Sequence, residues 1–306
     1  MVTELQAARP AGRRVVRYLP YGALLIAFLA IVFFAGTSHG HYRIDLIKSK
    51  LRGDLPLGWV DTARMVVLPG KWWPRTTLTS ARSGGQGGRP VLYETPLGVF
   101  FGGPDDAVGL LDVVKEQIVN IYERPPVTVR PGDVVLDIGA HLGGFTRQAL
   151  RHGAALVIMM EPEPHNAECL EETFREEIRQ NRVMLVKSAA WHSKGTIEFG
   201  FGGLTGTVEE QQNPRVSVIR VPTVTIDEMV AELKVERVDF IKMDIEGAER
   251  HALAGAARTI GQFGPRMALC IYHTPDDPVV IPKLARGAHG SYRVFTDADH
   301  AQAFFY

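Results

Sequence analysis

Cysteine is almost absent: the 306 residues contain two, Cys169 and Cys270. Two thiols this far apart make neither a disulfide framework nor a thiolate metal site, and each falls in a stretch that predicts a buried free thiol. Net charge is absent too, with 34 basic residues against 34 acidic ones and no long basic run beyond the N-terminus. Nucleic acid is therefore not an expected partner. Hydrophobic residues make up 45% of the chain, which excludes a disordered composition and suffices for one sizeable α/β domain with appendages.

Charge is also missing locally. From Leu19 to Gly36 no residue is charged, and residues 22–34 are almost wholly apolar. At ~1.5 Å per residue this run reaches ~27 Å, about the thickness of a hydrocarbon core. Arg9, Arg13, Arg14 and Arg17 precede it, and Tyr18 and Tyr21 suit an interface. The small residues Ala35, Gly36, Thr37 and Ser38 leave a cleaved signal peptide as the rival. The run is long for a signal-peptide core and no A-x-A site closes it, so an uncleaved single-pass anchor is expected. The arginine cluster favours a cytoplasmic N-terminus and so an outward-facing body, while Arg43, Lys48, Lys50 and Arg52 on the far flank blur that signal and a cofactor made in the cytosol would pull the other way. With no disulfide framework to suit an oxidising exterior, the body is expected at the membrane on its cytoplasmic side. The predicted organisation is a basic tail (1–18), an anchor (19–36), a juxtamembrane connector (37–90) and a body (91–306) with its core at 133–273.

Within the connector, Trp72-Trp73-Pro74 and the glycine-rich stretch 83–88 predict loop. Residues 91–101 predict a hairpin turning at Pro96-Leu97-Gly98, and 110–122 a helix with Leu111, Val114, Ile118 and Ile121 on one face. Apolar runs at 134–136, 154–160, 183–186, 238–243 and 267–272 then alternate with helical patterns at 164–181 and 248–260. An extra strand is expected at 216–225, a short helix capped by Asp227 at 228–233, and closing antiparallel strands at 292–295 and 302–306. Repeated β-α units with nearly continuous apolar strands imply a mainly parallel sheet with helices on both faces.

The stretch that organises the rest is 134–145, Val-Val-Leu-Asp-Ile-Gly-Ala-His-Leu-Gly-Gly-Phe. An apolar strand runs into Asp137, a turn bearing Gly139, Gly143 and Gly144, and a helix. In open α/β sheets ligands bind in the crevice beyond such strand ends. Read as a dinucleotide fingerprint, the middle glycine is replaced by His141, whose side chain crowds the pyrophosphate path. Read as D-x-G-x-x-x-G, the residues suit an adenosine ligand without phosphates, and S-adenosylmethionine is one. Glu161 lies where an acid at the end of the second strand grips ribose hydroxyls, its other reading being a cap for the helix that Pro162 and Pro164 start. Residues 239–249, Asp-Phe-Ile-Lys-Met-Asp-Ile-Glu-Gly-Ala-Glu, put Lys242 and Asp244 on one strand face with Glu246 behind. Charges at the mouth of a buried strand are costly unless paired or functional. Asp244 and Glu246 are assigned to the ligand site, and Glu249 to a helix N-terminus.

Residues 134–145, 160–164, 188–190, 223–229 and above all 239–249 resemble the FkbM-type methyltransferases, in order over about 133–273. The resemblance implies a Rossmann-like class I methyltransferase fold, S-adenosylmethionine as donor, and O-methylation of a sugar or polyketide hydroxyl; with the membrane anchor, the expected acceptor is a hydroxyl of a sugar, glycan or lipid-linked molecule. It also implies that Asp137 and the Gly139 backbone hold the methionine end, Glu161 the ribose, and Ser188 and Ala189 the adenine edge. Asp244 would face the methyl-transfer zone, as an acceptor contact in preference to a metal ligand. No metal is assigned. Two positions depart from the family pattern: His141 in the loop, which touches the ligand edge or has a special role, and Cys270-Ile271-Tyr272-His273 at the fifth strand end. His273 is a candidate base for a hydroxyl acceptor, since an ordinary imidazole titrates near neutrality. The competing readings are a nicotinamide-dependent oxidoreductase on a similar sheet and a non-catalytic, membrane-tethered binding module.

Overall fold

The computed structural model describes residues 47–48, 50–51, 59, 62–63, 79–81, 90–104, 106–201, 206–207, 217–297 and 301–306. The expected anchor from Leu19 to Gly36 and the glycine-rich stretch 83–88 lie outside the described residues, as do Trp72 and Trp73. Among the described residues, no helix is long and apolar enough to cross a membrane.

A small antiparallel sheet comes first: β1 (Thr79–Ala81), β2 (Val91–Thr95) and β3 (Gly98–Gly102). Its second hairpin turns at Pro96-Leu97, where proline presets the backbone. Helix α1 (Ala107–Ile118) ends four residues before the predicted limit, leaving Ile121 and Tyr122 buried in the following turn. The alternating core then follows: β4 (Val134–Ile138), α2 (Gly144–Arg151), β5 (Leu156–Met160), α3 (Pro164–Thr173), α4 (Arg175–Arg179) and β6 (Val183–Val186). After an excursion through β7 (Ala189–Ala190), β8 (Gly195–Phe201), β9 (Gly206–Thr207), β10 (Ser217–Val224) and α5 (Ile226–Glu232), the chain returns to the core. It completes the fold with β11 (Phe240–Met243), α6 (Glu249–Ala254), α7 (Ala257–Phe263), β12 (Arg266–Cys270), α8 (Asp277–Ala288), β13 (Val294–Asp297) and β14 (Gln302–Phe305).

The central sheet has seven strands in the order β13-β14-β12-β11-β4-β5-β6. The run from β12 to β6 is parallel, and β14 lies antiparallel to both β12 and β13. Strand residues alternate between two apolar layers, as a period of two requires. Val135, Val157, Met159, Phe240 and Phe304 pack with Val114, Phe145 and Leu170 of α1, α2 and α3. Leu136, Ile158, Ile241, Met267 and Phe305 pack with Met229, Leu253, Ile260 and Ile281 of α5 to α8. Both faces are covered, which is why the strands read as continuous apolar runs. Cys169 and Cys270 are buried free thiols.

Several local expectations are corrected. The helix predicted over 248–260 breaks at Gly255, whose carbonyl accepts the amide of Asp227 at 2.9 Å. A Cβ at Gly255 would meet the Trp191 carbonyl oxygen at 2.1 Å, so only glycine lets the corner dock there. The helix predicted over 164–181 divides at Phe174, which is buried. Asp227 does not cap its own helix. Thr225 does, in a reciprocal capping box with Glu228. Asp227 instead accepts the Thr259 amide and hydroxyl, each at 2.7 Å, at the start of α7. The strand expected at 216–225 belongs to a second sheet, β7-β10-β8-β9, that packs Phe199 and Val221 against Ala189.

Candidate active site

Strand order reverses between β4 and β11: the chain winds outward from β4 through β6, then crosses back to β11 and β12. Beyond their carboxyl ends lies the crevice where such sheets bind ligands. Two charged side chains meet beneath it. Asp137 and Lys242 are register partners on β4 and β11, with side chains 0% and 5% exposed, and Lys242 Nζ lies 3.3 Å from Asp137 Oδ1. Lys242 also donates to the Gly139 carbonyl at 2.5 Å and the Ile138 carbonyl at 3.4 Å, and Thr146 Oγ1 donates to Asp137 Oδ2 at 2.7 Å. Burial opposes the lysine charge, but Asp137 and Asp244 more than offset it, so its pKa is raised. The expected Lys242–Asp244 face is thus shared, but the direct partner is Asp137.

The turn above this pair is built by backbone approach. Gly139 has φ +79°, and a Cβ there would lie 2.1 Å from the Asp244 carbonyl oxygen. The amides of Gly139 and Ala140 donate to the Met160 carbonyl at 3.0 and 3.1 Å, and the His141 amide donates to Glu161 Oε2 at 2.8 Å. Glu161 Oε1 accepts the Glu163 amide at 3.0 Å. Capping of α3 falls to Glu163, which accepts from His165 and Asn166, so the capping alternative for Glu161 does not apply. Burial pushes the Glu161 carboxyl up to about 7, against the lowering effect of the Glu163 and His141 amides. Each of its oxygens keeps acceptor capacity for a further donor.

A cavity of ≈ 700 Å³ opens here, within the range of small-molecule sites. Gly139, His141, Glu161, Ser188, Ala189 and Asp244 all line it. Asp137, Gly143 and His273 are not among its lining residues. Asp137 stands behind the wall as partner of Lys242 and Thr146. Gly143 does not make room for a ligand: a Cβ there would meet the Phe174 ring at 2.3 Å, so the glycine serves helix packing. His141 has φ +52°, and burial followed by the charge of Lys242 lowers its pKa.

Seven carboxylates (Asp106, Asp112, Glu116, Glu161, Glu163, Asp244 and Glu246) line the cavity, against one lysine, Lys242. Lys242 is already engaged below. The field therefore favours a cation and disfavours a pyrophosphate. Four of the seven went unmarked as ligand-site residues in the sequence. Glu116 is one: it sits on α1, before the glycine turn in sequence, and no local motif flags it. Burial, then the nearby Asp244, push it up to about 7. Phe199 reaches the cavity from the second sheet and was equally unforeseen.

Asp244 Oδ2 accepts the Tyr122 hydroxyl at 2.5 Å. His273 sits behind it, with Nε2 3.5 Å from Asp244 Oδ1 and 3.3 Å from Glu246 Oε2, and Nδ1 3.1 Å from Glu249 Oε1. Burial works against the charged ring, but contact with Glu246 and Glu249 prevails and raises its pKa to about 10. The ring thus holds its proton at neutral pH, which removes it as the expected base. Asp244, Glu249 and His273 also bring one ligand-type atom each within 4.8 Å of one another.

The Methyltransferase FkbM domain model matches residues 137–294, just over half of the chain. The chain belongs to the FkbM methyltransferase domain family. It is 28% identical over 165 residues to the 2-O-methyltransferase NoeI of Sinorhizobium fredii (strain NBRC 101917 / NGR234), covering 48% of this chain and 64% of that protein. It is 28% identical over 164 residues to the 31-O-demethyl-FK506 methyltransferase FkbM of Streptomyces tacrolimicus, covering 44% and 63%. The chain therefore spans less than two thirds of the length of either relative. A crystal structure of methyltransferase FkbM from Methylobacillus flagellatus KT aligns with 20% identity and a TM-score of 0.47, over 67% of this chain and 56% of that one.

The buried ion pair generates a prediction. Lys242→Met leaves Asp137 without its counter-charge and should cost ~3–5 kcal/mol. Adding Asp137→Asn should recover part of that loss, because the two sites are coupled. Denaturant midpoints of the two single variants and the double variant measure this; strictly additive losses would contradict the pairing.

Proposed function

We propose that this FkbM-family chain is an S-adenosylmethionine-dependent methyltransferase that methylates a hydroxyl oxygen of a small molecule, sugar or glycan. The observation that carries the reading is the acid-lined cavity at the strand reversal, with Glu161 beside the glycine turn. The names of the two relatives, a 2-O-methyltransferase and a 31-O-demethyl-FK506 methyltransferase, support oxygen as the acceptor atom. The nicotinamide alternative is disfavoured because its pyrophosphate would enter a field of seven carboxylates. A binding module without catalysis has no observation in its favour.

When bound, S-adenosylmethionine supplies an electrophilic methyl group on a cationic sulfur. The residues that fit it are those of the cavity wall. Glu161 accepts hydrogen bonds from ribose hydroxyls while the His141 and Glu163 amides hold it in place. Ser188 and Ala189 border the adenine, with Phe199 offering an apolar wall. The Gly139 backbone receives the methionine end, and Asp137 acts from behind by fixing Lys242. Asp244, oriented by Tyr122, holds the acceptor hydroxyl. Glu116, poised near neutrality, takes the hydroxyl proton, since a base works best with a pKa near the operating pH. Alignment of acceptor and donor supplies the rest of the acceleration.

Membrane attachment through Leu19 to Gly36, with the body on the cytoplasmic side, is part of this reading: the span rests on hydropathy, and the side on a donor made in the cytosol and the lack of a disulfide framework, against the arginine cluster. A reporter fused after Tyr306 should be active in the cytoplasm; activity only on the far side would contradict it.

Glu161→Ala should weaken donor binding by ~10–150-fold, the equivalent of charge-assisted hydrogen bonds worth ~1.5–3 kcal/mol. Because the Glu161 carboxyl is raised to about 7, wild-type affinity should fall as pH drops through that value and the acceptor oxygens become protonated. Glu161→Gln should flatten this dependence. Titration calorimetry reads both effects; an unchanged affinity in a folded Glu161→Ala variant would remove Glu161 from the site.

A further inference from the structure

A second cavity, of ≈ 260 Å³, adjoins the first. Glu116, Tyr122, Asp244 and Tyr272 line both, so the wall they share carries the two carboxylates assigned above to the reacting hydroxyl. Val119 and Ile121, in the turn after α1, give the smaller cavity an apolar side. Gln302 reaches it from β14, where it pairs with Cys270 at the end of β12. This glutamine is only 2% exposed, yet its Oε1 makes no hydrogen bond among the described residues. Its amide nitrogen meets the Cys270 sulfur, a weak acceptor, at 4.0 Å. A buried carboxamide oxygen in that state calls for a donor. Tyr272 is the opposite case: an aromatic side chain left 52% exposed two residues beyond β12.

We infer that this second cavity is the methyl-acceptor subsite and takes one sugar ring, with Gln302 accepting from a ring hydroxyl and Tyr272 lying against a ring face. Its role in methylation rests on the methyl-transfer reading; sugar binding there does not. The unmet capacity in the cavity is for hydrogen-bond donors, since Gln302 Oε1 and the carboxylates of the shared wall accept. Lys115, the cation in the lining, is held by Asp112 at 2.6 Å. A neutral, donor-rich occupant suits these surroundings, and an anionic one does not. Tyrosine offers a flat apolar face with a polar edge. A sugar ring has the matching pattern, with C–H faces and hydroxyl edges. The space is smaller than the ~300–1,000 Å³ of drug-sized sites, so it encloses one ring and leaves the rest of a glycan outside. A hydroxyl directed at the shared wall meets Asp244 and Glu116, with the methyl donor in the larger cavity beyond.

The test uses the full chain and the methyl glycosides of glucose, galactose, mannose and rhamnose. Each is measured with and without S-adenosylhomocysteine, which has no methyl group to transfer. Saturation-transfer nuclear magnetic resonance should show at least one glycoside binding saturably below ~10 mM. Cyclohexylmethanol, a ring of similar size with one hydroxyl, should bind more weakly. Tyr272→Ala and Gln302→Leu should each weaken glycoside binding by ~2–10-fold, the loss expected for one ring contact or one hydrogen bond. Gln302 lines the smaller cavity and not the larger, so Gln302→Leu should leave S-adenosylhomocysteine affinity, read by titration calorimetry, unchanged. Tyr272 is exposed, so its variant keeps the test decisive if loss of Gln302 disturbs folding. No glycoside binding, equal binding of cyclohexylmethanol, or unchanged glycoside affinity in the folded variants overturns the inference. Glycoside binding without S-adenosylhomocysteine binding would support the sugar site and contradict the methyl-transfer reading, so the two failures are distinguished.

Discussion

A lysine and an aspartate, both shut away from solvent, meet across the two strands where the sheet reverses its order. The cost of burying Lys242 and Asp137 is offset by their mutual attraction and by hydrogen bonds to the Gly139 and Ile138 carbonyls and from the Thr146 hydroxyl. That arrangement draws the Gly139 turn down against β11. The turn then presents the His141 amide to Glu161, and Gly139 itself makes room for the Asp244 carbonyl. Glu161 and Asp244 are therefore held around one buried pair, of which Lys242 reaches the cavity wall and Asp137 stays behind it.

Above that contact the chemistry is dominated by negative charge. Some carboxylates are restrained by hydrogen bonds, as Asp244 is by Tyr122 and Glu249 by two backbone amides. Others are pushed towards neutrality by burial, as Glu161 and Glu116 are. This division lets one cavity contain both fixed charges that attract a cationic ligand and groups that exchange a proton near neutral pH. His273 lies among these carboxylates, and contact with Glu246 and Glu249 holds its ring charged.

What the sequence made legible was the part governed by local rules. Strands buried on both faces are apolar throughout, so β4, β5, β6, β11 and β12 stood out, and the glycine turn marked the crevice. Gly139, His141, Glu161 and Asp244 were accordingly placed at one site, Ser188 and Ala189 were added by the family resemblance alone, and all six line one cavity. What escaped depended on contacts between distant segments. Glu116 enters from a helix that precedes the turn, and the pairing of Lys242 with Asp137 rather than Asp244 follows from strand register. Gly143 looked like ligand clearance but accommodates Phe174. The helix break at Gly255 is set by Trp191, 64 positions earlier in a different part of the fold, and periodicity within 248–260 gives no sign of it. His273 was read with an ordinary imidazole pKa because its three carboxylate neighbours converge only in space.

The central claim is that this cavity binds a methyl donor and passes its methyl group to oxygen. Mass spectrometry of polar and lipid extracts from cells with the protein, and from matched cells without it, tests this most directly. The account predicts a species heavier by one methylene unit only where the protein is present, with the added mass on a hydroxyl-derived oxygen. Isotopic label should pass into that species from methyl-labelled methionine. Identical extracts, or a protein-dependent change of two hydrogens in place of a methylene, would contradict it.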